Sequence, residues 1–142
     1  MSYTKDVNMA VINDQLKEIK NIEKLLEIEA PLRLLVIEVA KVMPIMILTG
    51  HRGEAEQNKA FLSGQSKIQY PNGKHNKAPS QAVDFAPIPL NWSDTKKFYF
   101  FGGYVLGIAN KLGIAVKWGG DWDSDTDLND QTFFDLVHFE LK

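Results

Sequence analysis

The segment "HNKAPSQAVDF", residues 75–85, sets His75 nine positions before Asp84, and the acid sits inside an alternating "AVDFA" at 82–86. Alternation puts Ala82, Asp84 and Ala86 on one face of a strand and Val83 and Phe85 on the other, so the carboxylate projects from small side chains where something can approach. In "DLVHFEL", residues 135–141, His138 and Glu140 share one strand face while Phe139 and Leu141 point to the apolar side. If these two strands are neighbours in a sheet, Asp84 and His138 converge and His75 folds in from the loop. Catalytic zinc takes three nitrogen or oxygen ligands of this kind and keeps a fourth position for water. Asp135, three residues before His138, is the nearest carboxylate by sequence to hold that water's proton. The ordinary alternatives are a turn aspartate and hydrogen-bonded histidines, and these spacings do not form a compact motif such as HExxH.

Working outward, the chain has 142 residues, 44% of them hydrophobic, enough for one core and one domain. Sixteen basic residues stand against 18 acidic ones, a net charge of -2, which leaves no large positive surface for a nucleic-acid backbone. Zero cysteines exclude disulfides and thiolate metal sites, so any metal must be held by histidine and carboxylate, and there are 3 histidines. The first twenty residues carry charges throughout, and no apolar run of signal-peptide or membrane-spanning length follows them. Synthesis as a soluble cytoplasmic protein without membrane insertion is the expectation.

Apolar residues Ile12, Leu16, Ile19, Ile22 and Leu26 recur at three- and four-residue steps, which predicts an amphipathic helix over about residues 7–28. A second helix, apolar around most of its axis and therefore central, is predicted from Pro31 until Pro44 stops it. "IMILT" reads as a buried strand, "GEAEQNKAFL" as a short helix, and Ser63 to Ser80 as a long loop, a feature that in compact domains is functional or disordered. A helix capped by Ser93 or Asp94 runs to Gly113, followed by a strand "IAVKW", an acidic loop and the final strand. The order predicts an α+β fold with a small, mainly antiparallel sheet flanked by helices.

From about Pro31 to Leu141 the chain resembles the L-alanyl-D-glutamate peptidases of phage endolysins, relatives of the VanY-type D-alanyl-D-alanine carboxypeptidases. The resemblance is carried by "LTGHRGEAEQ", "SGQSK", "KHNKAPSQAVDFAP", the "NW" that follows, "KWGGDW" and "DLVHFEL", in matching order and spacing. It implies a Hedgehog/D-Ala-D-Ala peptidase-like fold with one Zn²⁺ on the sheet face, held by His75, Asp84 and His138. It also implies Asp135 as catalytic acid/base and Arg52 as the residue that polarises the scissile carbonyl or holds a substrate carboxylate; a permanently charged fork suits an oxyanion better than lysine. Gln57 matches a glutamine lining the site. The whole chain, 1–142, is then a single catalytic domain with an extra N-terminal helix. Two departures stand out: "NKAPSQAV" lengthens the usual His-to-Asp spacing, and Gly73 stands where relatives often carry serine, a substrate hydrogen bond that Ser66 or Ser80 could supply instead.

Other features admit two readings each. Glu140 is either a carboxylate that fixes a ligand tautomer or a strand-end charge held for solubility. His51 falls outside the matched set and reads as a surface or site-edge histidine. Asp121, Asp123, Asp125 and Asp127 alternate as in the opening of an EF-hand loop, yet Thr126 stands where glycine is wanted and Thr132 where glutamate is wanted, so a solvated acidic loop competes with weak Ca²⁺ binding. Trp92, Trp118 and Trp122 either stack on glycan rings or pack the core. The function implied by the resemblance is zinc-dependent cleavage of the L-alanyl-D-glutamate bond in the peptidoglycan stem peptide by a phage or prophage lysin, which reaches the wall after a holin-type breach of the membrane. Removal of a terminal D-alanine and a non-catalytic wall-binding or structural module are the alternatives.

Overall fold

The computed structural model describes residues 16–142. Strands β1 (Ile19–Lys20), β2 (Ile45–Thr49), β3 (Ala82–Pro87), β4 (Val116–Gly119) and β5 (Asp135–Leu141) form a sheet in the order β1-β2-β3-β5-β4. The short β1 pairs with β2 in parallel, and the other pairings are antiparallel. The helices are α1 (Ala30–Ala40), α2 (Glu54–Leu62) and α3 (Thr95–Leu112), with 3-10 turns at Ile22–Glu27, between β1 and α1, and at Lys74–Asn76, between α2 and β3. This is the α+β arrangement that the order of sequence patterns predicts.

The central register decides the rest. Val83 pairs with Phe139 and Asp84 with His138, so the alternation of the two strands is in phase: apolar residues meet on one face and polar ones on the other. On the apolar face Phe85, Phe101 and Phe139 meet edge-on or tilted, with ring centroids 5.1–6.2 Å apart, and Trp118 stacks on Phe139 at 6.4 Å. Helix α3 supplies Phe98, Phe101, Val105 and Ala109 at helical spacing; Asp94 caps it through Lys97 N–H, and Gly113 ends it with φ 73. Helix α1 packs against α3 and buries Leu32, Leu35, Val36 and Val39 in the same core. It is less central than its apolar girth suggests, because Leu34 remains 41% exposed on its outer side.

The helix expected over 7–28 is not what residues 16–28 form, and its earlier part lies outside the described residues. Ile19 enters the sheet opposite Ile45, and Asn21 then turns through a left-handed conformation while its side chain donates to the Ile47 carbonyl at 3.0 Å. The three-residue spacing of Ile22, Leu25 and Ile28 suits a 3-10 turn of three residues, which buries Leu25 and Ile28 completely and leaves Leu26 outside. Within the long loop from Ser63 to Ser80, the turn at Lys74–Asn76 is a second piece of structure that composition does not reveal.

On α3, Gly102 faces Trp118 so closely that a Cβ would overlap the indole, whereas Gly103 and Gly107 look onto open space. Gly102→Ala is therefore expected to destabilise the fold by about 1–3 kcal/mol through overpacking. Gly103→Ala and Gly107→Ala should each stabilise it by about 0.5–1 kcal/mol through helix propensity. Urea unfolding of the three variants checks both signs.

Candidate active site

On the polar face of the sheet, three acceptor atoms form a nearly equilateral triangle. His75 Nε2 lies 3.1 Å from Asp84 Oδ1, His138 Nδ1 lies 3.0 Å from the same oxygen, and the two nitrogens are 3.2 Å apart. All three residues are buried, at 4–7% exposure. Asp84 and His138 arrive by direct strand pairing, and His75 arrives on the 3-10 turn, whose Asn76 side chain accepts from Gly73 N–H at 2.8 Å. The turn is tied to the end of β2: Arg52 N–H donates to the His75 carbonyl at 2.9 Å, and Asn76 Nδ2 donates to the Arg52 carbonyl at 3.0 Å.

The outward nitrogens define the chemistry of the inward ones. His75 Nδ1 lies 2.8 Å from the Gly50 carbonyl, which can only accept, so the proton is on Nδ1 and Nε2 presents a lone pair inward. His138 Nε2 lies 2.8 Å from Glu140 Oε1, which assigns its proton outward in the same way and leaves Nδ1 as the inward donor of electrons. Two lone pairs and a carboxylate oxygen thus face one another with no donor between them, and only a cation makes such a set favourable. Tetrahedral zinc at about 2.0–2.1 Å from each ligand keeps ligand atoms about 3.3 Å apart, close to the triangle seen here. The donor set and its spacing fit a metal ion, and nitrogen with carboxylate oxygen suits zinc.

Without a metal, a proton must fill that role. Burial opposes charge on His138, yet its hydrogen bonds to Asp84 and Glu140 raise it to about 10. Burial would raise Asp84, but the His75 and His138 rings outweigh it and hold the carboxyl well below the usual carboxylate range. Glu140 is pushed up by burial and pulled further down by His138, ending below its ordinary value.

Asp135 completes the group from the side. Strict alternation along β5 would place it with Val137 and Phe139 on the apolar face. A register irregularity intervenes: Trp118 pairs with Phe139, but the next residue, Gly119, pairs with Asp135. The break turns the carboxylate toward the site, with Oδ2 at 4.0 Å from His138 Nδ1. It requires glycine, since a Cβ on Gly119 would overlap the Asp135 carbonyl oxygen. Burial first, and then the charge of Asp84, push the Asp135 carboxyl up to about 6.

Arg52 is buried beside the triangle, with Nη2 at 3.7 Å from Asp84 Oδ2 and Nη1 donating to Gln57 Oε1 at 3.2 Å. Gln57, 1% exposed, in turn donates from Nε2 to Ser66 Oγ at 3.0 Å and to the Ile68 carbonyl at 2.6 Å. Arg52, Gln57, Ser66, His75, Asp135, His138 and Glu140 line a cavity of ≈ 470 Å³. Ser80, also expected near substrate, is fully buried elsewhere: its hydroxyl donates to the Ala82 carbonyl at 2.7 Å and accepts from Ala82 N–H, so it shapes the start of β3 and is not offered to a ligand. His51 is exposed and lies outside the triangle. The tryptophans divide: Trp118 is core, Trp92 is 63% exposed and stacks on Phe98, and Trp122 lines the cavity with its ring 5.5 Å from that of His138. Sequence reasoning did not single out the Gly50 carbonyl or Asn76. A backbone acceptor has no residue-type signature, and an asparagine after a histidine has no distinctive one.

A family model described as phage L-alanyl-D-glutamate peptidase matches residues 14–142. The L-alanyl-D-glutamate peptidase of Escherichia phage T5 is 28% identical over 101 residues, spanning 67% of this chain and 73% of that one. In fold, the chain is similar to the crystal structure of the Serratia marcescens L-Ala D-Glu endopeptidase ChiX, with a TM-score of 0.61 at 24% identity and 84% of each chain covered.

Because His138 carries a proton up to about pH 10 in the metal-free protein, metal entry has to expel it. Zinc affinity is expected to rise with pH between 6 and 9 by up to about tenfold per unit, with close to one proton released per ion. Titration calorimetry in buffers of different ionisation enthalpy measures that release, and buffer-independent heats would contradict it. Glu140→Gln should weaken zinc binding by about 10–100-fold by loosening the His138 tautomer.

Proposed function

Since the chain belongs to the phage L-alanyl-D-glutamate peptidase family, an enzyme family of peptidoglycan hydrolases, we propose that it cleaves the L-alanyl-D-glutamate bond of the stem peptide with one Zn²⁺ held by His75, Asp84 and His138. The observation that carries the metal assignment is the inward triangle of two lone pairs and a carboxylate, with both histidine tautomers set from outside. When bound, the metal supplies a Lewis acid that makes a water nucleophilic near neutral pH and polarises a carbonyl.

The protein's own groups do the positioning and the proton transfer. Asp135, beside the inward face of His138 and raised to about 6, accepts the proton of the attacking water at Oδ2 and returns it to the leaving amine. Arg52 faces the developing oxyanion with a charge that the buried setting strengthens, while its Nη2 steadies Asp84 Oδ2 and leaves Oδ1 for the triangle. Gln57 and Ser66 hold the wall of the cavity, and Trp122 with Phe133 covers its other side. Among the described residues no helix is long and apolar enough to cross a membrane. In this reading the enzyme reaches the wall after a holin-type breach of the membrane and works as a single catalytic domain; the family match that motivates it spans residues 14–142.

We also propose that the acidic loop binds Ca²⁺. Asp121, Asp123 and Asp125 bring ligand oxygens within 4.8 Å of one another. Asp121 is 5% exposed and its buried Oδ1 has no hydrogen-bond partner, while Oδ2 accepts from Thr126 N–H at 2.9 Å. Thr126 takes the positive φ, 69°, that the sixth residue of an EF-hand loop needs, a strained conformation for a β-branched residue. A solvated loop has no need of that strain.

Zinc-loaded protein incubated with purified peptidoglycan should release fragments whose masses identify the L-alanyl-D-glutamate bond, and chelation should stop release until zinc is restored. Asp135→Asn is expected to lower kcat by about 10²–10⁴-fold while the zinc content stays at one ion per chain. Full activity of His138→Ala, or fragments shortened only by a terminal D-alanine, would overturn the assignment. For the loop, calorimetric titration with Ca²⁺ should show one site that Asp121→Asn removes, and a heatless titration of the wild type refutes it.

A further inference from the structure

Hydrolysis of an L-alanyl-D-glutamate bond releases the glutamate amine, so both glutamate carboxyls lie on the leaving side of the cut. At most one of them is consumed by the onward peptide link. The other is presented to the cavity as a carboxylate, or as a neutral amide where the wall is modified, and a site that distinguishes them needs an uncompensated cation within reach.

Three cations line the cavity: Arg52, Lys67 and Lys74. Arg52 is already engaged by Asp84 and Gln57 and is 8% exposed. The charge of Lys74 is directed in part at Glu140, whose carboxyl it helps to hold low. Lys67 differs from both. Among the described residues it has no carboxylate partner, and its ammonium lies 5.3 Å from the centroid of the Phe133 ring on the opposite loop. An aromatic face orients a cation without neutralising it.

The backbone under Lys67 is held with unusual firmness for an exposed loop. Both neighbours in sequence are bound to the buried amide of Gln57, Ser66 through its hydroxyl at 3.0 Å and Ile68 through its carbonyl at 2.6 Å. Ile68 N–H also donates to Ser66 Oγ at 3.1 Å, closing a tight turn with Lys67 at its tip. Gln57 is itself fixed by Arg52 at 3.2 Å and by Asn76 at 3.2 Å. One hydrogen-bonded chain therefore runs from the residues beside the metal triangle to the base of Lys67.

We propose that Lys67 is the specificity-determining residue that recognises the free carboxylate of the D-glutamate, with Gln57 as the positioning residue that sets its distance from the reacting bond. The inference rests on the peptidase reading of the site and adds to it the preference for an acid over an amide at that position.

The test uses zinc-loaded protein and two acyl-L-alanyl-γ-D-glutamyl-lysine peptides, one with the glutamate α-carboxyl free and one with it amidated. Wild type should show the lower KM for the acid. Lys67→Met should raise KM for the acid by about fivefold or more, leave kcat within about twofold, and erase the difference between the peptides. Lys67→Arg should retain the preference, which loop packing alone would not explain. An acid-to-amide ratio unchanged in Lys67→Met, or lost in Lys74→Met instead, overturns the role of Lys67 while leaving the peptidase reading intact. A wild-type protein that hydrolyses neither peptide nor peptidoglycan overturns that reading, and this inference with it.

Discussion

Two imidazole lone pairs and a carboxylate oxygen within 3.2 Å of one another repel, and much of this molecule serves to hold them together. The ladder between β3 and β5 sets Asp84 opposite His138, the 3-10 turn delivers His75, and Gly50 and Glu140 aim the rings from behind. No side chain in the group is free to rotate away without breaking a buried hydrogen bond, and a buried unpaired polar group is costly. The energetic tension is relieved by a cation at the centre. A proton does so in the metal-free protein, which is why His138 is so basic. An ion held by this triangle would couple its binding to folding.

The sheet divides incompatible chemistries by alternation. Its apolar face carries Val83, Phe85 and Phe139 into the aromatic core beneath α1 and α3, and its other face carries the buried charged groups. A slip of one residue between β3 and β5 would exchange the two sets, so the hydrophobic packing on one side protects the pairing of Asp84 with His138 on the other. Asp135 is the exception to alternation. It reaches the polar face through a local break in the β4–β5 ladder, and the close approach at Gly119 makes that break possible. Its burial beside Asp84 gives it a carboxyl raised to about 6, suited to moving a proton near neutral pH.

The cavity walls are loops, but anchored ones. On one side, Gln57 ties the Ser66–Ile68 turn to Arg52; on the other, Trp122 N–H donates to Gln131 Oε1 at 3.0 Å and its indole to the Phe133 carbonyl at 2.7 Å. The acidic loop lies in that second wall, so whatever orders Asp121 and Asp123 also shapes the approach to Asp135. Both walls are thus held by side-chain hydrogen bonds.

Period-two alternation was legible in "AVDFA" and "DLVHFEL", and it was enough to infer both strands and their apolar faces, whereas the convergence of Asp84 with His138 depended on the two strands being neighbours, which the sheet order supplies. The helix from Asp94 to Gly113 was legible for the same reason, because capping residues and apolar spacing act over a few residues. Where a pattern fits two local structures, as at residues 16–28, tertiary pairing chose: Ile19 found a strand partner in Ile45, and the three-residue spacing became a 3-10 turn. Ser80 could not be separated from Ser66 by residue type, since only burial shows which hydroxyl reaches the cavity. The sequence by itself determined the main helices and strands beyond residue 28 and, through the resemblance its motifs carry, the family. Tertiary structure alone decided the tautomers, the turning of Asp135 and the frame beneath Lys67, because each depends on contacts between residues distant in the chain whose spacing no local rule constrains.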